Sequence, residues 1–216
     1  MLQIRLQGVL PEVFNGQLPS DPVSDVWGTD LSFAKGKSYR IKAASGRGKS
    51  SLCSYIYGLR NDYQGVISFD GQPVSDLDCE RLDAVRQNEI GVLFQDLRLF
   101  GDLTAVENVM IKAALTGFCD EAKASDMLCE VGLADKLDVP VRLLSFGQQQ
   151  RVAFVRMLCQ KADFWILDEP VSHLDHDNAV IMARMLKREM ERTGAGLIVT
   201  TIGHDLPFDY DETLML

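Results

Sequence analysis

A chain of 216 residues with 46% apolar content suits one domain carrying a real core, with room for a secondary lobe, and at 25% charged it excludes a disordered or collagen-like polymer. The formal net charge is −9, and no basic run exceeds the pair Lys187–Arg188, which argues against nucleic acid as a partner. Five cysteines, an odd number with no C-x-x-C pair, point away from a disulfide framework and toward a reducing compartment.

In chain order, residues 2–6 (LQIRL) alternate apolar and polar like an edge strand. Neither MLQIRLQGVLPEV nor any later stretch reads as a signal peptide or a membrane span, so a soluble, cytosolic chain is expected. Residues 11–30 hold Pro11, Gly16, Pro19, Pro22 and Gly28 and read as a loop or ragged connection. SYRIKA at 38–43 is a short strand, KSSLCSYIYGL a helix closed by Gly58, and GVISFDG at 65–71 a strand ending in an Asp-Gly turn. IGVLF at 90–94 has the length of a buried strand. Thr104 and Glu107 are spaced as a capping box opening a helical stretch, and further helices follow at about 120–131 and 146–160. FWIL at 164–167 and GLIVTT at 196–201 are buried strands flanking the amphipathic helix NAVIMARMLKREMER, and LML ends the chain. Strands alternating with helices predict an α/β fold with a mostly parallel sheet covered on both faces.

Three stretches carry chemistry. The run Ala43, Ala44, Ser45, Gly46, Arg47, Gly48, Lys49, Ser50, Ser51 lies between a strand and a helix and fits G-x-x-x-x-G-K-[ST] except that Ala43 stands where glycine is expected. Gly46 and Gly48 allow close backbone approach to phosphate, the helix N-terminus faces an anion, Lys49 reaches the β- and γ-phosphates, and the Ser50 hydroxyl is placed for Mg²⁺. In FWILDEP an apolar strand delivers Asp168 to its carboxyl end, where it can hold Mg²⁺, with Glu169 next to it to polarise a water. Together the two stretches favour a nucleoside triphosphatase. In LLSFGQQQRVAFVRML at 143–158, Ser145 and Gln148 form a second capping-box pattern, so an anion-attracting helix N-terminus is expected there too.

Leu144-Ser145-Phe146-Gly147-Gln148 with the following QQRVAFVRML resembles the LSGGQ signature of ATP-binding cassette (ABC) ATPases, and the resemblance covers almost the whole chain. It implies a P-loop NTPase with an N-terminal antiparallel β region and an inserted helical lobe. On that basis 1–95 and 160–216 form the nucleotide-binding core and about 96–159 the helical subdomain. It implies that Ser145, Gly147 and Gln148 face the γ-phosphate held by a second cassette, with a homodimer as the expected form. It further implies that Gln95 reaches metal and attacking water, that Asp175 of SHLD touches the partner's phosphate loop, and that His204 is the switch histidine. Phe14, following the first strand, is taken as the adenine-stacking aromatic. ATP and Mg²⁺ are the implied cofactors. The implied partner is a membrane-spanning transporter subunit on a separate chain, which places the cassette at the inner face of the cell membrane. Leu97, Leu99, Phe100 and Leu103 are candidates for lining the groove that receives it. IGVLFQDLRLFGDLTAVENV is similar to the cassettes of lipoprotein-release, macrolide-export and cell-division systems.

The sequence departs from the family pattern in three places. Ala43 replaces the first loop glycine, and Phe146 the first signature glycine. VTTIGHD stands where VTHD is usual, so Thr201 competes with His204 for the switch position. His173, Asp175, His176 and Asp177 are read as a D-loop and helix start rather than a zinc site. The leading function is ATP hydrolysis coupled to transport. The alternatives are a weakly hydrolysing regulatory cassette, suggested by the departures, and a soluble non-transport ABC ATPase. The latter usually has coiled-coil insertions or a second cassette, which this chain lacks.

Overall fold

The computed structural model describes residues 1–14 and 23–216. Residues 15–22 of the connection expected over 11–30 lie outside the described residues. Two sheets organise the rest. The first is antiparallel, in the order β2 (Asp30–Ala34), β1 (Gln3–Pro11), β4 (Tyr63–Phe69), β5 (Gln72–Pro73). The second is wholly parallel, in the order β6 (Ile90–Leu93), β7 (Phe164–Asp168), β8 (Gly196–Thr201), β3 (Ser38–Lys42), β9 (Glu212–Met215).

One expectation fails in the first sheet. Residues 2–6 are not an edge strand: β1 pairs with β2 on one side and β4 on the other. Alternation shows only that one face is buried, and an edge and a central antiparallel strand share that pattern. The strand β2 has no clear signature in DLSFA, and the helix α2 (Cys79–Asn88) is too polar to show an apolar stripe.

In the parallel sheet, β7 and β8 are buried at every position, because helices cover one face and a further helix together with the antiparallel sheet covers the other. Successive side chains on these strands part company. Trp165, Leu167, Leu197 and Val199 join a core with the helices α3 (Ala105–Thr116), α4 (Glu121–Glu130), α5 (Phe146–Leu158) and α6 (His176–Thr193). Phe164, Ile166 and Ile198 join the second core, with Ile4, Leu6, Phe33, Ile41 and Leu52. Leu52 belongs to the remaining helix, α1 (Lys49–Ile56).

The segment from α3 to α5 holds three helices, and both capping boxes are made there: Thr104 with Glu107, and Ser145 with Gln148. No helix among the described residues is long and apolar enough to cross a membrane. Cys53, Cys119 and Cys159 are buried and Cys79 and Cys129 exposed, all as free thiols.

Candidate phosphate-binding site

The carboxyl ends of β3, β7 and β8 lie side by side, and the loops leaving them build one cleft. The loop after β3 turns into α1 at Gly48, which sits at φ 94, a left-handed conformation open to glycine at little cost. A Cβ at Gly48 would come within 3.1 Å of the Trp27 indole, so small size is needed there as well. No side chain caps α1, which leaves its first-turn amides for an anion. Trp27, fully buried, props this turn from below and donates its indole N–H to the Arg47 carbonyl at 3.2 Å. Its role was invisible in sequence, because its contact is with a loop twenty residues away.

Ala43 is buried and has no positive φ, so its methyl group strains nothing. Its N–H donates to the Thr201 carbonyl at 3.1 Å, tying the start of the loop to the end of β8. Lys49 is buried, with its ammonium 3.0 Å from the Ala44 carbonyl, 3.3 Å from the Ala43 carbonyl and 3.4 Å from the Glu169 carboxylate. The lysine is thus held in the cleft by the loop it follows.

Ser45, Gly46, Gly48, Lys49, Ser50, Ser51, Gln95, Glu169 and Ile202 line a cavity of about 350 Å³. A neighbouring cavity of about 320 Å³ shares Ser50 and Gln95 and adds Asp168. The Ser50 hydroxyl is 3.4 Å from Gln95 Oε1. Asp168 is buried and accepts a 2.6 Å hydrogen bond from the Thr200 hydroxyl of the next strand. Glu169 follows at φ 51, rare for a side chain with a Cβ, and its N–H donates to the Thr200 carbonyl.

That unusual turn is held from α5. Gln150 of α5, itself buried, donates to the carbonyls of Glu169 at 3.3 Å and Pro170 at 2.6 Å. Arg156, at the other end of α5, donates to the Leu97 and Arg98 carbonyls, where the backbone after Gln95 is also left-handed. Both residues lie inside the motif at 143–158, where the sequence gives neither a task. Their partners are backbone carbonyls, which leave no trace in a sequence.

Four residues expected to serve an opposite cassette lie outside this chain's own cleft. Ser145, Gly147 and Gln148 open α5 on a different surface, and Asp175 caps α6, accepting from the Asn178 N–H at 2.9 Å. A Cβ at Gly147 would lie 3.0 Å from the His173 carbonyl, so this end of α5 packs on the SHLD loop. Phe146, half exposed, sets its ring edge-on to His173 at 4.4 Å. Phe14 is half-buried and lies edge-on to Trp27 at 6.4 Å, packed against the core. His204 is exposed and does not line the cleft; Thr201 is buried; Ile202 is the residue of that loop at the cavity wall.

A cleft with this loop, lysine, hydroxyl and pair of carboxylates can hold a triphosphate and activate a water. The comparisons agree. The family model described as ABC transporter matches residues 27–172. The chain is 38% identical over 183 residues to the lipoprotein-releasing system ATP-binding protein LolD 1 of Caulobacter vibrioides, covering 82% of this chain and 77% of that protein. It is 37% identical over 180 residues to the macrolide export ATP-binding/permease protein MacB of Shewanella sp. strain ANA-3, covering 82% of this chain but only 27% of MacB. Among solved structures, the dimeric bacterial ABC transporter cassette MJ0796 superposes with a TM-score of 0.80 at 26% identity, over 98% of this chain and 94% of that one. MJ0796 in a post-hydrolysis state bound to ADP and Pi matches with a TM-score of 0.78 at 27% identity, over 94% and 88%. The chain belongs to the ABC transporter family, as an ATP-binding and ATP-hydrolysing cassette.

Proposed function

We propose that two copies of this chain enclose ATP and power a separate membrane subunit at the inner face of the cell membrane. The observation that carries the site is the convergence of Lys49, Ser50, Gln95 and Glu169 on one cavity, with Asp168 behind them. The amides before and within the first turn of α1 and the Lys49 ammonium hold the β- and γ-phosphates. Ser50, Gln95 and Asp168 offer a hydroxyl, an amide carbonyl and a carboxylate, an all-oxygen donor set that suits Mg²⁺. When bound there, Mg²⁺ neutralises charge on the phosphates. Glu169 accepts the proton of the attacking water once ATP draws Lys49 away from it.

The signature residues Ser145, Gly147 and Gln148, with Asp175, lie outside this cleft, and a second copy supplies them to it. The dimeric form of the MJ0796 cassette supports that arrangement. Phe14, half-buried and backed by the fully buried Trp27, offers the aromatic surface for the adenine.

The membrane partner has a groove to enter. A cavity of about 230 Å³ is lined by apolar Phe94, Phe100 and Ile111 and by cationic Arg98, Lys112 and Arg156. Of the four residues expected there, only Phe100 lines it; Leu97 is core and Leu99 packs against the core. Among the described residues Lys112 has no ion-pair partner, and burial together with neighbouring Arg156 and Arg86 pushes its pKa down. A helix presenting apolar side chains and one carboxylate complements this groove.

Steady-state ATP hydrolysis tests the site. Glu169→Gln is expected to lower kcat by about 10²-fold or more while ATP still binds, and Lys49→Ala to abolish hydrolysis. Equal rates in wild type and Glu169→Gln would defeat the reading.

A further inference from the structure

We propose that Ile202, rather than His204, is the side chain that this cassette presents to the terminal phosphate, so that hydrolysis proceeds without an imidazole and is slow. The inference rests on the phosphate-site reading above. Its basis is how the chain leaves β8. The Ala43 N–H donates to the Thr201 carbonyl at 3.1 Å, so β8 ends directly beside the phosphate loop. Whatever follows Thr201 is the first side chain able to face the cavity.

The next residues form a tight turn built on Thr201 itself. Its hydroxyl accepts from the Gly203 N–H at 3.1 Å and donates to the His204 carbonyl at 3.0 Å. Gly203 sits at φ 126, where a side chain would be strained. Thr201 is 2% exposed with its hydroxyl committed twice, so it does not serve the phosphate. Ile202 is 47% exposed and lines the cavity with Lys49, Ser50, Gln95 and Glu169. His204 comes after the turn, exposed and absent from the lining.

The chemical consequence is a missing donor. In the reaction the water oxygen bonds to the γ-phosphorus, its proton passes to Glu169, and the bond to the β–γ bridging oxygen breaks, releasing ADP and phosphate. Charge on the γ-oxygens is met by Lys49 and the loop amides. On the Ile202 side it meets a hydrocarbon, which gives no hydrogen bond and excludes water that would.

The test is steady-state ATP hydrolysis by the full chain, with ATP binding measured alongside, for Ile202→His, Ile202→Asn, His204→Ala and the double variant Ile202→His with Glu169→Gln. Ile202→His is expected to raise kcat by about tenfold with a smaller change in KM, and the gain to vanish in the double variant. Ile202→Asn, a smaller donor, raises kcat less and decides the matter if the histidine variant folds poorly. His204→Ala keeps kcat within about twofold of wild type, because one exposed side chain outside the cleft adds no transition-state contact. A loss of about tenfold in His204→Ala, or donor variants at 202 that bind ATP yet turn over no faster than wild type, overturns the proposal. Unimpaired ATP binding by Lys49→Ala would instead overturn the phosphate-site reading beneath it.

Discussion

At the scale of single residues, Ala43 shows how little a motif departure costs when backbone and packing allow it. The residue is an extension of β3 with no positive φ, its methyl is in the core, and its carbonyl accepts from Lys49. Glycine there would remove a buried methyl and add freedom to the unfolded chain. Ala43→Gly is therefore expected to lower stability by about 1 kcal/mol. ATP affinity should move by less than about threefold, because Ala43 does not line the cavity, whose loop residues run from Ser45 to Ser51. Thermal unfolding with and without ATP measures both. Affinity gained tenfold would show that the methyl, not the backbone, limits the loop.

At the scale of elements, α5 does more than present the signature residues. Gln150 near its start holds the carbonyls behind Glu169, and Arg156 near its end holds the carbonyls behind Gln95. One helix thus positions both sides of the cleft. Gln150→Ala is expected to lower kcat several-fold with little change in KM, because Glu169 loses orientation while Lys49 and the loop stay in place. A rise in KM alone would contradict this role.

The loop after β8 has its own anchor. Asp205 accepts from Arg40 at 2.9 Å and Lys42 at 3.0 Å. Burial alone would raise its pKa, but the Lys42 hydrogen bond and the charges of Lys42 and Arg40 outweigh it and hold the carboxyl below its ordinary value. A depressed folded-state pKa means this contribution is present above about pH 4 and is lost as pH falls through the folded value. Since the carboxyl is partly exposed, Asp205→Asn should cost only about 1 kcal/mol at pH 7, with the difference fading in acid. Denaturant titrations at several pH values check the window.

At the scale of the whole molecule, the cassette separates its surfaces. The cleft opens at the ends of β3, β7 and β8, the signature helix starts elsewhere, and the cationic groove lies by Phe94 and α3. The Gln95 loop touches both the cleft and the groove, since Phe94 and Arg98 line the cavities on either side of it. Only a few residues therefore separate the cleft from the groove. Lys112→Glu reverses charge in the groove without touching the cleft. It is expected to weaken co-purification with the membrane subunit at least tenfold, with ATP hydrolysis by the isolated cassette within about twofold of wild type. Retained association would remove the charge argument for that groove.

Short-range chemistry was legible in the sequence. Both capping boxes, the strand–loop–helix around Lys49, the apolar run ending at Asp168 and the Asp-Gly turn after β4 depend on residues within a few positions, so local patterns determine them. The position of β1 between two partners, the support of the phosphate loop by Trp27, and the hold of Gln150 on Glu169 were decided only in three dimensions. The same holds for the loop after β8. Its sequence left Thr201 and His204 competing, and the fold put Ile202 at the wall. The reason is physical. Sequence periodicity reports which side of an element is buried, but which residue faces a ligand depends on how a turn closes and what packs behind it.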